Sequence, residues 1–309
     1  MLSKFRILAS LVTGLGVALI VGGLIAPRFL LGDARLPLDL EHTTWTIEDP
    51  AGQARGETKP VTRQLHMEIQ DPSGPDIASV RVGESILAGS SPNDFDNLVS
   101  AGTWTYPMDR KSGAPTQPME FSSVMVMPPT RVQSDAPWLK FPADVHNTTY
   151  DVFDPTLRAA APAEFVGEGE IAGRTVYRFE QVVEPTNLAR AYADPRNTKT
   201  QVDAEGNQTR SFLFYSARRE LTVDQATGLV VGINEDVDTY YADDGGRRVE
   251  DVLRYEGKMD ERRSEEMAGQ LSTVLSAAQS RAVTYAVIAL GVLLVALGLF
   301  GALRGQRAR

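Results

Sequence analysis

The sequence holds no cysteine and three histidines in 309 residues, and none of its eighteen prolines lies beyond Pro195. The first absence removes thiolate nucleophiles, cysteine-ligated metals and any disulfide framework, so the chain must fold on its own core. His42, His66 and His146 stand far apart in the sequence, away from any close carboxylate cluster, and provide neither a zinc spacing nor a local acid–base pair. Gly83-Glu84-Ser85-Ile86-Leu87 lacks the final glycine of a hydrolase nucleophile elbow. Gly167 to Gly173 is too long for a dinucleotide fingerprint, and it is acidic where phosphate would sit, so it reads as a turn. Asp94 to Asn97 and Asp243 to Gly246 gather oxygen ligands without completing a calcium loop. The expectation is a protein that is not an enzyme and uses no cofactor or metal.

Long uncharged apolar runs are present, one at each end. Residues Ile7–Ala26 and Ala282–Leu303 each reach the roughly 20 residues that a helix needs to cross about 30 Å of hydrocarbon. A cut after Ala26 would leave Leu24 three residues upstream and Pro27 directly after it, a poor processing site, so the first run is expected to stay as an anchor. Lys4 and Arg6 precede it, and Arg304, Arg307 and Arg309 follow the second run. Basic residues at both termini predict a two-pass plasma-membrane protein with both ends cytoplasmic. The layout is then a tail over 1–6, a span over 7–26, an extracytoplasmic domain over 28–257, an extracytoplasmic helix over 258–281, a span over 282–303 and a tail over 304–309. Gly14, Ala18 and Gly22, facing Gly291, Gly298 and Ala302, form candidate small-residue strips for helix pairing. The net charge is −9, and the basic tails leave the domain more acidic still, which argues against nucleic acid as a partner.

Between the spans the pattern is that of strands. Leu65, Met67 and Ile69 alternate with His66, Glu68 and Gln70. Further β-favouring stretches cover 79–87, 103–108, 121–127, 175–183, 211–216, 220–224, 229–236 and 249–255. The expected class is an α+β membrane protein, a β-rich domain of antiparallel meanders flanked by terminal transmembrane helices. Two strands end in one grammar, apolar-Asp-x-x-hydroxyl-Gly, at Met108 to Gly113 and Val223 to Gly228. Asp109 and Asp224 can bond turn amides, while Gly113 and Gly228 can take the left-handed conformation that reverses the chain. The repeat raises the prospect of two related halves divided near 142–173, a stretch read as a crossing between them. Residues 185–210 are polar and read as an extended surface loop or a lid. From Lys258, Met267, Leu271, Val274, Leu275 and Ala278 recur at helical spacing, predicting one helix running on through the second span and projecting some 35 Å.

The segment 119–127 offers apolar bulk to both strand faces, and Met119, Phe121, Met125 and Met127 are candidate contacts for an irregular apolar ligand. The two spans, Tyr106 to Asp109 with Ser112-Gly113, Tyr150 to Pro155, Glu164 to Gly167 with Gly173 and Tyr177 to Phe179, and Val223-Asp224 with Thr227-Gly228 together give a chain that resembles the actinobacterial envelope family of PorA-type porins. That resemblance covers nearly the whole chain, implies a pore through the outer, mycolate-type membrane and carries no catalytic residue. Helical spans set the chain apart from barrel porins. Its Asp and Thr-Gly turns are also similar to those of curved-sheet envelope lipid carriers. The leading expectation is an envelope protein that binds or helps move lipid or other solutes. Its expected partners are membrane lipid, an apolar envelope lipid as ligand, and a second copy or other envelope proteins. A channel-forming oligomeric porin and a scaffold are the alternatives.

Overall fold

The computed structural model describes residues 4–25, 34–123, 128–202 and 208–307. They fall into two units, the terminal segments Met1–Arg35 with Thr273–Arg309, and the sheet domain Leu36–Ser272. After helix α1 (Lys4–Ile25) the chain supplies β1 (Thr44–Asp49), β2 (Gln53–Ala54), β3 (Glu57–Thr58), β4 (Val61–Gln70), β5 (Ile77–Ala88), the one-turn α2 (Asp94–Asn97), β6 (Leu98–Asp109), β7 (Met119–Ser123) and β8 (Thr130–Val132). There follow β9 (Tyr150–Asp154), β10 (Ala159–Ile171), β11 (Arg174–Asn187), α3 (Leu188–Ala191), a 3-10 turn (Pro195–Asn197), β12 (Thr198–Val202), β13 (Gln208–Asp224), β14 (Val230–Ala242) and β15 (Arg248–Met259). Helices α4 (Glu261–Gly269) and α5 (Ala277–Arg307) end the chain.

The strands form one antiparallel sheet in the order β8-β7-β6-β5-β4-β1-β15-β14-β13-β11-β10-β9, with β12 beside β13 and β2 beside β15. Six strands of the first half are followed by six of the second, each set a meander in chain order. The two meanders join where β1 pairs β15, Ile47 opposite Met259. The Asp109 turn ends the fourth path strand of the first meander, and the Asp224 turn ends the fourth of the second. The sheet curls so far that Trp104 on β6 meets Phe153 on β9 edge-to-face at 5.3 Å between ring centroids.

One end of the inner face is densely packed. Trp45, Leu65, Val82, Trp104, Phe179, Leu221 and Ile233 are buried there. Across them runs a strap, 134–145, which buries Ala136, Trp138, Leu139, Phe141 and Val145. The strap has almost no regular structure, yet its backbone is satisfied by the sheet, as burial demands. Phe141 N–H donates to the Gly228 carbonyl at 2.6 Å, Ala143 N–H to Lys111, and Val145 N–H to Gln225. The paired turns therefore grip one strap from two sides. In the first, Asp109 Oδ1 accepts from the Lys111 and Ser112 amides at 3.0 and 2.7 Å. In the second, Asp224 Oδ2 accepts from the Thr227 amide at 2.8 Å and its hydroxyl at 2.7 Å. Gly113 and Gly228 have φ of +77° and +78°. A Cβ on Gly113 would overlap the Lys140 carbonyl, and one on Gly228 the Phe141 carbonyl, so each turn needs glycine for conformation and for space.

Four expectations change. The helix from Lys258 is not continuous: β15 runs to Met259 and α4 stops at Gly269. Met267 and Leu271 gave the helical spacing because they are core residues, and beyond them the Leu271 carbonyl accepts from Arg174 at 2.7 Å while Gln270 bonds the His42 carbonyl at 2.7 Å. The crossing near 142–173 holds β9 and β10 of the sheet, and the residues from Gly167 to Ile171 belong to β10, leaving Ala172-Gly173 as the turn. Small inward Ala161 and Ala163 had hidden the alternation. The 185–210 stretch carries α3, the 3-10 turn and β12, with α3 capped by Asn187.

The fourth change is in the helix pair. Among the described residues two helices are long and apolar enough to cross a membrane, Ile7–Ile25 and Gln279–Phe300. Gly14 and Gly22 face open space, and Ala18 is exposed. Buried instead are Ala9, Gly16 and Gly23 on α1, seven residues apart, against Gly291 and Gly298 on α5, also seven apart. Gly16 lies on Gly291 and Gly298 on Ala9 and Thr13, so the helices are antiparallel, with a seven-residue seam that lets the backbones touch.

Candidate functional site

The alternation that builds the inner face is interrupted at one level. On β4 the inward series is Val61, Arg63, Leu65, Met67; on β13 it is Ala217, Arg219, Leu221, Val223; on β14 it is Ile233, Glu235, Val237. The pairing sets these polar residues side by side, Arg219 opposite Glu235 and, on β11, Gln181 opposite Arg219. A charged belt thus crosses the inner face between two apolar zones. Arg63 Nη1 donates to Glu235 Oε2 at 2.6 Å, and Arg219 Nε donates to the same oxygen at 2.8 Å. Arg219 also donates to Asp154 and to the Tyr215 hydroxyl. Tyr215 donates to Asp154 and Tyr255 to Glu235, both at 2.7 Å. The amides of Thr156 and Leu157 add two donors to Asp154.

These contacts set the charge states. Burial alone would raise Asp154 and Glu235, yet the guanidiniums beside them outweigh it and hold both carboxyls below their ordinary values. Glu84 on β5 differs. Its Oε1 accepts one long bond from Trp104 Nε1, at 3.3 Å, and its Oε2 lies 3.8 Å from Arg63. Burial pushes Glu84 up despite Arg63 and Trp104, which favours its neutral form. Two arginines are matched by two carboxylates, and Glu84 is left over with bonding capacity to spare.

On one side of the belt lies the packed end. On the other lies a cavity of about 670 Å³, within the range of small-molecule sites. Its floor is the belt, including Arg63, Glu84, Tyr215, Arg219 and Tyr255. Its walls include Ile86, Val99, Phe121, Leu213, Val237 and Leu253. The mouth is framed by 188–199: Arg158 lies 4.0 Å above the Tyr192 ring and 5.0 Å from Phe121, and donates to Asp194 at 3.1 Å. Arg196 holds Asp194 from its other side, and Lys199 donates to Glu250 at 2.6 Å. Burial opposes the charge on Asp194, but the two arginines prevail and keep it low. An arrangement with polar floor, apolar walls and paired charges at the mouth can hold an amphiphile out of water.

The sequence-based ligand contacts divide. Phe121 lines the cavity, its ring tilted against Trp104 at 4.6 Å between centroids. Met119 is fully buried in the packed end and is a core residue, because the strand alternation turns it to the same face as Val132 and Tyr106. Met125 and Met127 lie outside the described residues. The belt was missed, although an arginine or glutamate standing in an apolar register on three strands was visible in the sequence.

The family model described as Porin PorA matches residues 8–300. Two curated proteins named Porin PorA are similar to this chain, one from Corynebacterium resistens at 25% identity over 67% of the chain, and one from Corynebacterium amycolatum at 22% over 65%. The matched regions span 58% and 59% of those proteins' own lengths.

Proposed function

We propose that this chain, which belongs to the Porin PorA family, is a non-enzymatic carrier of an amphiphilic envelope solute, bound in the sheet-domain cavity while α1 and α5 anchor the chain in the plasma membrane with both termini cytoplasmic. The observation that carries the reading is the 670 Å³ cavity beside a packed core. A sheet that fills one end of its inner face and leaves the other hollow above a polar floor has the form of a binding site. Family membership supports a porin-like envelope protein. The helix pair favours a carrier over a channel. Its seam is Gly, Ala and branched apolar side chains, and Thr13 Oγ1 donates to its own helix at Ala9, so the described helices carry no polar stripe to line an aqueous path. Conduction by the family would then need assembly or other segments.

The experiment uses the full-length protein in vesicles. A carrier accelerates transfer of a fluorescent acyl lipid between phosphatidylcholine vesicles and gives no stepwise conductance in a planar bilayer. Stepwise conductance without transfer would establish the channel reading instead. Protease added to intact, wall-stripped cells should remove the sheet domain and spare a tag after Arg309; loss of the tag alone would reverse the orientation.

A further inference from the structure

Resting on the carrier reading, we infer that the ligand enters head-first and that its head is an uncharged, hydroxyl-rich group, such as a sugar, docked on Glu84. Polar groups line the cavity at its floor and at its mouth, with apolar walls between. The mouth pairs Arg158 and Arg196 with Asp194 and Lys199 with Glu250, whereas Glu84 on the floor keeps bonding capacity, so the head of an amphiphile finds a free partner inward. Among the described residues an anionic head finds no unpaired cation on the floor, where Arg63 and Arg219 are already bonded to Glu235 and Asp154, and Arg55, which also lines the cavity, is exposed to water. A cationic head would face Arg63, 3.8 Å from Glu84, in a desolvated site. A hydroxyl group meets neither penalty. It donates to Glu84 Oε2, which accepts no hydrogen bond among the described residues, or accepts from the carboxyl where that is protonated, the form that burial favours. The tyrosine rings at the mouth and floor, Tyr192, Tyr241 and Tyr255, provide the flat apolar faces with polar edges that suit polyols.

The test is calorimetry on the full-length chain held in amphipol, free of detergent, with three ligands sharing a twelve-carbon chain below their micellar concentrations: dodecyl glucoside, laurate and dodecyltrimethylammonium. Dodecyl glucoside should bind at least about ten-fold more tightly than either charged ligand, and Glu84→Ala should remove about that factor. Glu84→Gln, which keeps an acceptor oxygen and the volume, should retain most of the affinity, and it replaces Glu84→Ala as the readout if that variant fails to fold. A diazirine at the far end of the glucoside's chain should label Val99, Leu188 or Leu213. Laurate binding as tightly as the glucoside, or labelling of Trp104 or Tyr255, would overturn the head-group assignment or its direction while leaving the cavity reading intact. Binding of no ligand, or binding unaffected by Val237→Trp, would overturn both.

Discussion

The two ends of the inner face are built from the same strands by the same alternation, and they differ in what covers them. At one end the 134–145 strap lays Trp138, Leu139 and Phe141 onto the sheet, and rings from both meanders interlock over it, Trp138 with Trp104 at 6.1 Å and Phe141 with Phe179 at 5.0 Å. At the other end no such strap crosses the apolar side chains among the described residues, and a cavity remains. Close packing of buried side chains in one zone that stops at a row of charges is a division of labour within one sheet. The packed end supplies stability. The hollow end spends some of it by leaving apolar surface without partners.

The belt separates the two ends, and its loss gives the largest expected effect. Arg219→Met removes the guanidinium that bonds Asp154, Glu235 and Tyr215 together, and stranding buried carboxylates should cost about 3–5 kcal/mol. Chemical denaturation of the full-length protein measures it; a cost below about 1 kcal/mol would mean that water already enters the belt from the cavity. Next comes the packed end. Gly228→Val forces a branched residue into a left-handed turn and against the Phe141 carbonyl, with an expected loss of about 2–4 kcal/mol, and Gly113→Val should follow it. An unchanged melting temperature would show that the strap is not gripped there.

A third test sharpens the comparison by pH. Lys140 is buried in the strap, and its Nζ donates to the Lys111 and Phe141 carbonyls at 2.8 Å each. Burial pushes its ammonium down to about 7 from 10.5, against the pull of Asp109 and Asp224. The folded value lies below the unfolded one, so between about pH 7 and 10.5 the unfolded chain binds more protons, and raising pH disfavours unfolding. Wild type should therefore gain stability relative to Lys140→Met as pH rises from about 7 to 10. A constant difference across that window would contradict the burial of this amine.

How much of this was legible divides along the same line. Strands β5, β6, β11 and β13 to β15 follow stretches whose alternation is plain, and the Asp109 and Asp224 turns repeat a local grammar whose chemistry is short-range. The strap was not legible, because its partners are turns about 30 and 90 residues away and its backbone has no period. The helix seam lies at the expected Gly291 and Gly298 on α5 but was missed on α1: spacing by four picks Gly14 and Gly22, whereas two helices that wind around each other recur every seven residues and choose Gly16 and Gly23. The cavity depends on the curvature of the whole sheet, which is not written in any single strand. Its floor was within reach. Arg63 between Val61 and Leu65, and Glu235 between Ile233 and Val237, break an apolar register in a way that an ordinary core does not.

The central claim is that the hollow end holds a ligand and the packed end does not. Native mass spectrometry of the full-length protein, released from amphipol after incubation with dodecyl glucoside, tests it directly by counting bound molecules per chain. The account predicts one molecule on the wild type and none on Val237→Trp, whose indole intrudes into the cavity from its wall. Equal occupancy of the two proteins, or an unoccupied wild type, would contradict it.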